Sequence, residues 1–335
     1  MKIAIVKLSA LGDIVHAMIV LQFIKKYNQK IEIDWVVEES YKELLEFNTD
    51  INKINVVNLR KAKKKKSIYL LLSELKKARK FGPYDLVIDL QGLIKSALIS
   101  RLIRSPLTIG FDKSSIRERM ASFFYNKTYK YEYKSNVIER NLAIVNFALG
   151  LSFSYQDIQN KIPFLYSNFN YSSNKLSTIK NNILLIPGAS FQSKRYPVDK
   201  FVELTKLLDA NFLIISGDSE EKDLANQIQA QSPNVAVLER LNIDSIISLI
   251  SQIDLVIGSD TGPTHMAWAL GIPSITLFGP TPGERNTFIT NINRFLESDS
   301  KVNPYKINKN DFSIKNINVE EIVQLSCKLL NSWRK

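Results

Sequence analysis

The stretch 255–283 constrains this 335-residue chain more than any other. It predicts, in order, a buried strand, a polar loop, a helix, a second strand and a Gly-Pro loop, at 255–257, 258–264, 265–270, 274–278 and 279–283. Open α/β sheets bind their ligands at the carboxyl ends of the strands, which is where both loops would lie. The first loop also places unpaired N–H groups at a helix start, where anions bind. The stretch therefore predicts a diphosphate site within an α/β fold.

The alternation of strand and helix occurs in two series, separated by residues 163–180, which show little periodicity. The predicted strands are 2–7, 31–37, 54–59, 85–90 and 107–111, then 183–186, 212–216, 235–238, 255–257 and 274–278. Helices are predicted at 14–26, 41–47 with Ser40 as its cap, 198–208, 243–253 and 319–333. Because 335 residues exceed what one core usually serves, we predict two Rossmann-like α/β domains that face each other across a cleft, at 1–165 and 166–318, and a helix at 319–335.

All of the excess positive charge lies in the first half. Residues 1–165 hold 28 Lys and Arg against 16 Asp and Glu, whereas residues 166–335 hold 17 of each. The densest run, 60–66, has six cations in seven residues, and further cations follow at 76–80. Such runs are usually solvated loops, but the asymmetry equally favours contact with a polyanion: an acidic membrane surface, an acidic substrate or nucleic acid.

Asp13 is the first candidate for catalysis. It follows the first predicted strand at a helix start, where a carboxylate either caps the helix or faces a ligand. Only Gly12 stands where a dinucleotide fingerprint needs three glycines, so no dinucleotide is expected. Gln91 follows the strand 85–90 and should lie beside Asp13 at the same edge of the sheet. The spacing alone leaves both interpretations of Asp13 open.

Polar residues follow the strand ends of the second half in the same way. Ser190 and Lys194 come after the strand 183–186, where a lysine contacts a phosphate or lies on the surface. Glu221 has the ordinary position of an acid in the first turn of a helix, and His265 is more often a packed residue than a catalyst. Their convergence on one cleft favours a site. Two histidines and one cysteine cannot build a zinc site and no Asp-X-Asp pair occurs, so no metal is expected.

Seven motifs along the chain are specific when taken together: VKLSALGDIVHA (6–17), WVVEE (35–39), VIDLQGLIKSA (87–97), ASFFYN (121–126), KRYP (194–197), GSDTGPTHMAWALG (258–271) and FGPTPG (278–283). They resemble the bacterial lipopolysaccharide core heptosyltransferases, which are glycosyltransferases with two Rossmann-like domains (the GT-B fold). The N-terminal motifs resemble the type I members, which transfer heptose from ADP-heptose to the Kdo sugar of Kdo2-lipid A. The KRYP segment is more like the type II members, which add the second heptose. Ala189 also departs from type I, where a second hydroxyl residue is expected.

The resemblance implies a role for each matched residue. Asp13 would be the catalytic base. The donor ADP-heptose would be bound by Ser190, Lys194, Glu221, the backbone at Leu241, Asp260, Thr261, Gly262 and His265. The acidic acceptor would be bound by Arg60, Lys64, Gln91, Arg117 and Arg140. The first domain would thus bind the acceptor and the second the nucleotide sugar.

The resemblance implies an inverting transfer from ADP-L-glycero-D-manno-heptose to Kdo2-lipid A, with no cofactor and no metal. We expect a cytoplasmic monomer that contacts the anionic cytoplasmic face of the inner membrane and binds no nucleic acid, and the single Cys327 fits a reducing compartment. Three other readings stay open: transfer to the first heptose, a nucleotide-sugar epimerase without an acceptor, and a non-catalytic protein that binds a nucleotide or nucleic acid.

Overall fold

The structure, a computed structural model, describes residues 1–333. The chain divides into two compact units, Met1–Phe164 and Leu165–Lys335. The predicted helix 319–335 is observed as Val319–Trp333; it packs within the second unit, and its last two positions lie outside the described residues. The predicted α/β class with two Rossmann-like domains is confirmed, because each unit holds one six-stranded parallel sheet.

The first unit orders its strands β3-β2-β1-β4-β5-β6. They are β1 (Lys2–Val6), β2 (Glu32–Glu38), β3 (Lys53–Val57), β4 (Leu86–Asp89), β5 (Thr108–Phe111) and β6 (Lys127–Tyr129). The helices are α1 (Leu11–Tyr27), α2 (Leu59–Lys64), α3 (Ile68–Ala78), α4 (Ile94–Leu102), α5 (Val137–Leu149) and α6 (Tyr155–Gln159), with 3-10 helices at Glu39–Leu44 and Arg119–Phe124. The central strands are nearly continuous apolar runs because parallel sheets are covered on both faces.

The second unit repeats the plan with the order β12-β11-β10-β7-β8-β9. Its strands are β7 (Asn182–Ile186), β8 (Asn211–Ile214), β9 (Val235–Val237), β10 (Leu255–Ser259), β11 (Ser274–Phe278) and β12 (Asn293–Glu297). Its helices are α7 (Val198–Leu207), α8 (Ser219–Gln229), α9 (Ile243–Ile250), α10 (Gly262–Leu270), α11 (Gly283–Asn286) and α12 (Val319–Trp333), with 3-10 helices at Gln192–Lys194 and Ser313–Asn316. One core joins strands β7, β8 and β10 to helices α7, α8 and α12.

One local prediction was wrong. The helix expected at 41–47 behind Ser40 is a 3-10 helix, Glu39–Leu44, that follows β2 directly. The basic run 60–66, for which one interpretation is a solvated loop, is helical up to Lys64 as α2, because the Asn58 side chain accepts the Lys61 N–H as a cap and Ala62 is buried on the inner side. The edge strands β6 and β12 had no predicted counterpart.

Candidate functional site

The first sheet changes direction between β1 and β4, since the chain runs outward from β1 through β2 to β3 and then returns to β4 on the other side. Ligands of open α/β sheets bind at such a switch point, outside the carboxyl ends of the strands. The two loops at this point follow Val6 and Asp89. The first leads into α1 and Asp13 and the second carries Gln91, and both side chains bond backbone N–H groups of residues 8–10, so the structure brings together the two polar residues predicted for this edge.

Asp13 is exposed in the first turn of α1. The helix begins at Leu11 with Ala10 as its N-cap residue, so Asp13 does not stand at the N-cap position that the structural interpretation assumed. Its Oδ2 nevertheless caps the helix start, because it accepts the N–H of Ala10 at 3.1 Å. This bond fixes the carboxylate at the switch point and leaves Oδ1 without a hydrogen bond inside the part of the chain that the structure describes.

Gln91 holds the loop that precedes Asp13. Its Oε1 accepts the N–H of Leu8 at 2.7 Å and that of Ser9 at 3.3 Å. Buried Asp89 orients Gln91 by accepting its backbone N–H at 2.8 Å, and it also accepts the hydroxyl of Tyr125. Burial raises the pKa of Asp89, although these hydrogen bonds act in the opposite direction. Gln91 therefore positions the β1–α1 loop, whatever it contributes to an acceptor.

The sequence did not single out Lys95 or Glu38, which lie at the same sheet edge. The Lys95 ammonium donates to the hydroxyl of Ser9 at 2.9 Å. Glu38 ends β2, is buried, and accepts the Arg60 N–H at 3.3 Å. Burial lowers the pKa of Lys95 and raises that of Glu38, while their opposite charges partly offset both shifts. Lys95 is the second residue of α4, six residues after β4 ends, and no sequence pattern marks that position. Only the fold shows that Lys95 and Glu38 lie near each other.

The predicted acceptor cations divide into exposed and buried residues. Arg60, Lys64 and Arg117 are exposed, and Arg60 bonds the Tyr41 hydroxyl at 2.8 Å. Arg140 is buried, and its guanidinium donates to three backbone carbonyls, those of Tyr131, Glu132 and Ser115, at 2.9, 2.6 and 2.7 Å. The ring of Phe111 also lies against it. These contacts argue against the predicted acceptor role of Arg140, because they use its donors to hold the loop between β5 and α5.

The second sheet has its switch point between β7 and β10, with loops that follow Ile186 and Ser259. Lys194 reaches from the first loop to the second. Its ammonium donates to the Asp260 backbone carbonyl at 2.6 Å and to Oδ2 of the same residue at 2.8 Å. Lys194 is buried, so this ion pair is shielded from solvent. One ammonium hydrogen remains for a ligand.

Asp260 is the centre of this second cluster. His265 Nε2 lies 2.9 Å from Oδ1, and the Thr281 hydroxyl donates to Oδ2 at 3.0 Å. Burial alone would raise the pKa of Asp260, but the charge of Lys194 and the bond to His265 outweigh it and hold that pKa far below its usual range. Thr281 belongs to the FGPTPG motif, which the sequence marked as a loop without naming a side chain.

The remaining donor candidates lie on neighbouring strand ends. Glu221 accepts the Gly217 N–H at 2.6 Å. Its carboxylate lies so close to Gly188 that a Cβ atom on residue 188 would be 2.2 Å from Glu221 Cδ. Gly188 is therefore required for this packing. Ser190 is exposed beside the buried Ala189, and Leu241 lies in the loop between β9 and α9.

Helix α10 begins at Gly262, with Thr261 as its extended N-cap residue. The first N–H groups of a helix have no partner within it, and Pro263 has none to offer, so the Gly262 N–H lies at the positive end of the helix. The Thr264 hydroxyl donates to the Ser259 carbonyl at 2.9 Å, which fixes the approach from β10. The diphosphate site that the stretch 255–283 predicts would lie at these N–H groups.

Within residues 1–333, no group of three or more His, Cys, Asp and Glu side chains could hold a metal ion. No helix in the same range is long and apolar enough to cross a membrane.

Comparison with known proteins gives consistent results. Residues 72–311 match the sequence profile of glycosyltransferase family 9 (heptosyltransferase). The chain is 38% identical to lipopolysaccharide heptosyltransferase 1 of Campylobacter coli, over 97% of this chain and 98% of that one. Its fold is similar to E. coli heptosyltransferase WaaC with ADP-2-deoxy-2-fluoro heptose (TM-score 0.75, 23% identity, 97% and 99% of the two chains covered). E. coli ADP-heptose lps heptosyltransferase II has a comparable fold (TM-score 0.72, 21% identity, 99% of each chain covered).

Proposed function

The chain belongs to glycosyltransferase family 9, the heptosyltransferases, and from this premise we propose that it transfers heptose from ADP-L-glycero-D-manno-heptose to the Kdo sugar of Kdo2-lipid A. The full-length similarity to a lipopolysaccharide heptosyltransferase 1 supports the type I acceptor. The observation that carries the chemistry is Asp13, an exposed carboxylate held by the Ala10 N–H at the switch point of the first sheet.

Asp13 is the general base of the proposed reaction. A sugar hydroxyl is a weak nucleophile near neutral pH, and a positioned base that removes its proton contributes about 10²–10⁴-fold. The hydroxyl oxygen attacks the anomeric carbon of heptose from the face opposite ADP. The bond from that carbon to the diphosphate oxygen breaks, ADP leaves with the electron pair, and the configuration inverts.

The second unit binds the donor in this proposal. The free hydrogen of Lys194, the Gly262 N–H and the Ser190 hydroxyl stabilise the charge that grows on the departing diphosphate. Glu221 holds the adenosine ribose at the end of β8, and the backbone at Leu241 meets the adenine. Asp260 positions Lys194, and with Thr261 and His265 it borders the sugar.

The first unit binds the acceptor in this proposal. Kdo2-lipid A carries carboxylates and phosphates, and the exposed cations Arg60, Lys64 and Arg117 complement that charge. Gln91 keeps the loop of Asp13 in place beside them. We also propose peripheral contact with the anionic cytoplasmic face of the inner membrane, supported by the confinement of the excess positive charge to residues 1–165.

An ADP-release assay tests the reaction and its acceptor together. The purified enzyme receives ADP-heptose alone, with Kdo2-lipid A, or with Kdo2-lipid A that already carries one heptose. We expect rapid release with Kdo2-lipid A only. Release with the heptosylated acceptor alone would assign the type II reaction, and an epimerised sugar nucleotide without any acceptor would assign an epimerase.

A further inference from the structure

Helix α3 presents large apolar side chains to solvent. Ile68 is 75% exposed, Tyr69 82%, Leu72 51% and Leu71 40%. Soluble proteins scatter single apolar residues over their surfaces, but four on one helix of eleven residues form a contiguous patch. Such patches mark contact with a protein or a membrane.

The exposed apolar residues share one side of the helix. Ile68, Leu71 and Leu72 have the i, i+3, i+4 spacing that aligns side chains on one face. The inward side of the helix packs on the first unit through the partly buried Leu75 and the buried Ala78. Beside them Glu74 accepts the Asn58 N–H at 2.9 Å and lines a cavity of about 220 Å³ whose walls include Lys61 and Lys77. The helix therefore carries apolar side chains on two sides, one that packs on the protein and one that faces solvent.

The apolar face is bordered by cations. Residues 60–80 contain ten Lys and Arg and one acid, Glu74. Lys63, Lys64, Lys65 and Lys66 are exposed before the helix, and Lys76, Lys77, Arg79 and Lys80 are exposed at its end. None of these eight forms a salt bridge within residues 1–333. Apolar side chains within a ring of unpaired cations are typical of helices that lie in a membrane interface.

We propose that α2 and α3 form an interfacial anchor, in which the apolar face of α3 inserts among the acyl chains of an anionic leaflet while the surrounding cations bind lipid headgroups. The charge identifies the occupant. A second copy of the chain would bring two sets of ten cations together, and like charges at that density repel. This inference extends the proposed membrane contact from electrostatic attraction to insertion at a named helix.

The anchor also fits the proposed acceptor. Helix α2 follows the carboxyl end of β3, and the Arg60 N–H bonds Glu38 at the end of β2. The basic helix thus starts at the same edge of the first sheet as the loop that carries Asp13. A leaflet bound by α2 and α3 would hold a lipid-linked acceptor near that edge, whereas a soluble acceptor would not need the anchor.

Vesicle co-sedimentation tests the insertion. The variant I68Q/Y69Q/L72Q removes the apolar side chains and places glutamine, a helix-forming residue, at all three positions. The matched control I179Q/Y305Q/L207Q removes exposed Ile, Tyr and Leu side chains from the second unit. Binding is measured on phosphatidylcholine vesicles with and without phosphatidylglycerol, at low and high salt. Melting temperatures confirm that both variants fold.

We expect the α3 variant to bind anionic vesicles roughly tenfold or more weakly, with the largest loss at high salt, where headgroup attraction is screened and insertion dominates. The control variant should bind like the wild type. Turnover of a deacylated, water-soluble acceptor should be equal in all three proteins. Equal vesicle binding by the wild type and the α3 variant would overturn the anchor, as would a wild-type dimer that only this variant dissociates. Absence of turnover in the wild type would instead count against the proposed function.

Discussion

At the scale of single residues, substitution separates the proposed catalytic role of Asp13 from its hydrogen bond to the Ala10 N–H. We expect Asp13→Asn to lower turnover about 10²–10⁴-fold, because an amide cannot take the proton of the acceptor hydroxyl. Affinity for ADP-heptose should stay unchanged, since every proposed donor contact comes from the second unit. Turnover is measured by ADP release and donor affinity by calorimetry.

The fold provides the control for this substitution. The amide oxygen of Asn can still accept the Ala10 N–H, so the melting temperature should not change. Asp13→Ala loses that bond as well and should cost about 1 kcal/mol of helix stability in addition to activity. Near-normal turnover of Asp13→Asn would remove Asp13 from catalysis.

Asp260 gives a prediction about acid. Its pKa is depressed in the folded protein, so the stability that it contributes is complete above the ordinary Asp pKa of about 3.9 and is lost as the pH falls from there through the folded-state pKa. We expect Asp260→Asn to lower the melting temperature by a constant amount from about pH 8 to pH 5, and by less below pH 4. Thermal denaturation of both proteins across this range measures the difference. A difference that stays the same below pH 4 would contradict this contribution of the carboxylate.

At the scale of elements, Arg140 joins α5 to the loop after β5. Arg140→Met removes the donor of three backbone carbonyls, of which that of Ser115 is buried, and should destabilise the protein by roughly 3 kcal/mol. The fraction that stays folded should keep the wild-type KM for the acceptor. The exposed Arg117→Met should show the opposite pattern, with an unchanged melting temperature and a higher acceptor KM. An increased acceptor KM without destabilisation in Arg140→Met would restore the acceptor contact that the sequence suggested.

Sequence patterns predicted some elements and missed others for physical reasons. Strands such as β11 were predicted at their observed bounds because a buried apolar run between turn residues has few alternatives. The short edge strand β6 is partly exposed and polar, so it lacks that signal. Helix α3 shows a further limit: periodicity reports that a helix has an apolar face, but not whether another element covers it.

The sequence predicted where along the chain the candidate site residues lie, but not which of them contact each other. Strand carboxyl ends mark where ligands bind, and that rule led to Asp13, Gln91 and Asp260. It does not say which side chains meet, because Lys194 and Asp260 are 66 residues apart and their ion pair depends on how two loops cross. The same limit explains why Arg140 resembled its exposed neighbours until its three carbonyl partners were seen.

At the scale of the whole molecule, the division of charge between the halves predicts a division of kinetic effects. The excess of Lys and Arg lies in residues 1–165, which hold the proposed acceptor site, whereas residues 166–335 are balanced. The variant K61Q/K63Q/K64Q/K65Q neutralises four exposed lysines at α2. With a deacylated, water-soluble acceptor we expect its acceptor KM to rise roughly tenfold, because these cations attract the acidic substrate before it binds.

The donor KM and the salt dependence complete this prediction. The KM for ADP-heptose should change little, and the difference between variant and wild type should shrink at high salt, since the screening length falls to about 3 Å at 1 M. The control K206Q/K222Q/K301Q/K315Q removes the same charge from exposed positions of the second unit and should leave the acceptor KM unchanged. If both substrates, or both variants, were affected equally, net charge alone would explain the result. A rise confined to the acceptor and to α2 requires that the first unit bind the acceptor, which is the assignment on which the base role of Asp13 depends.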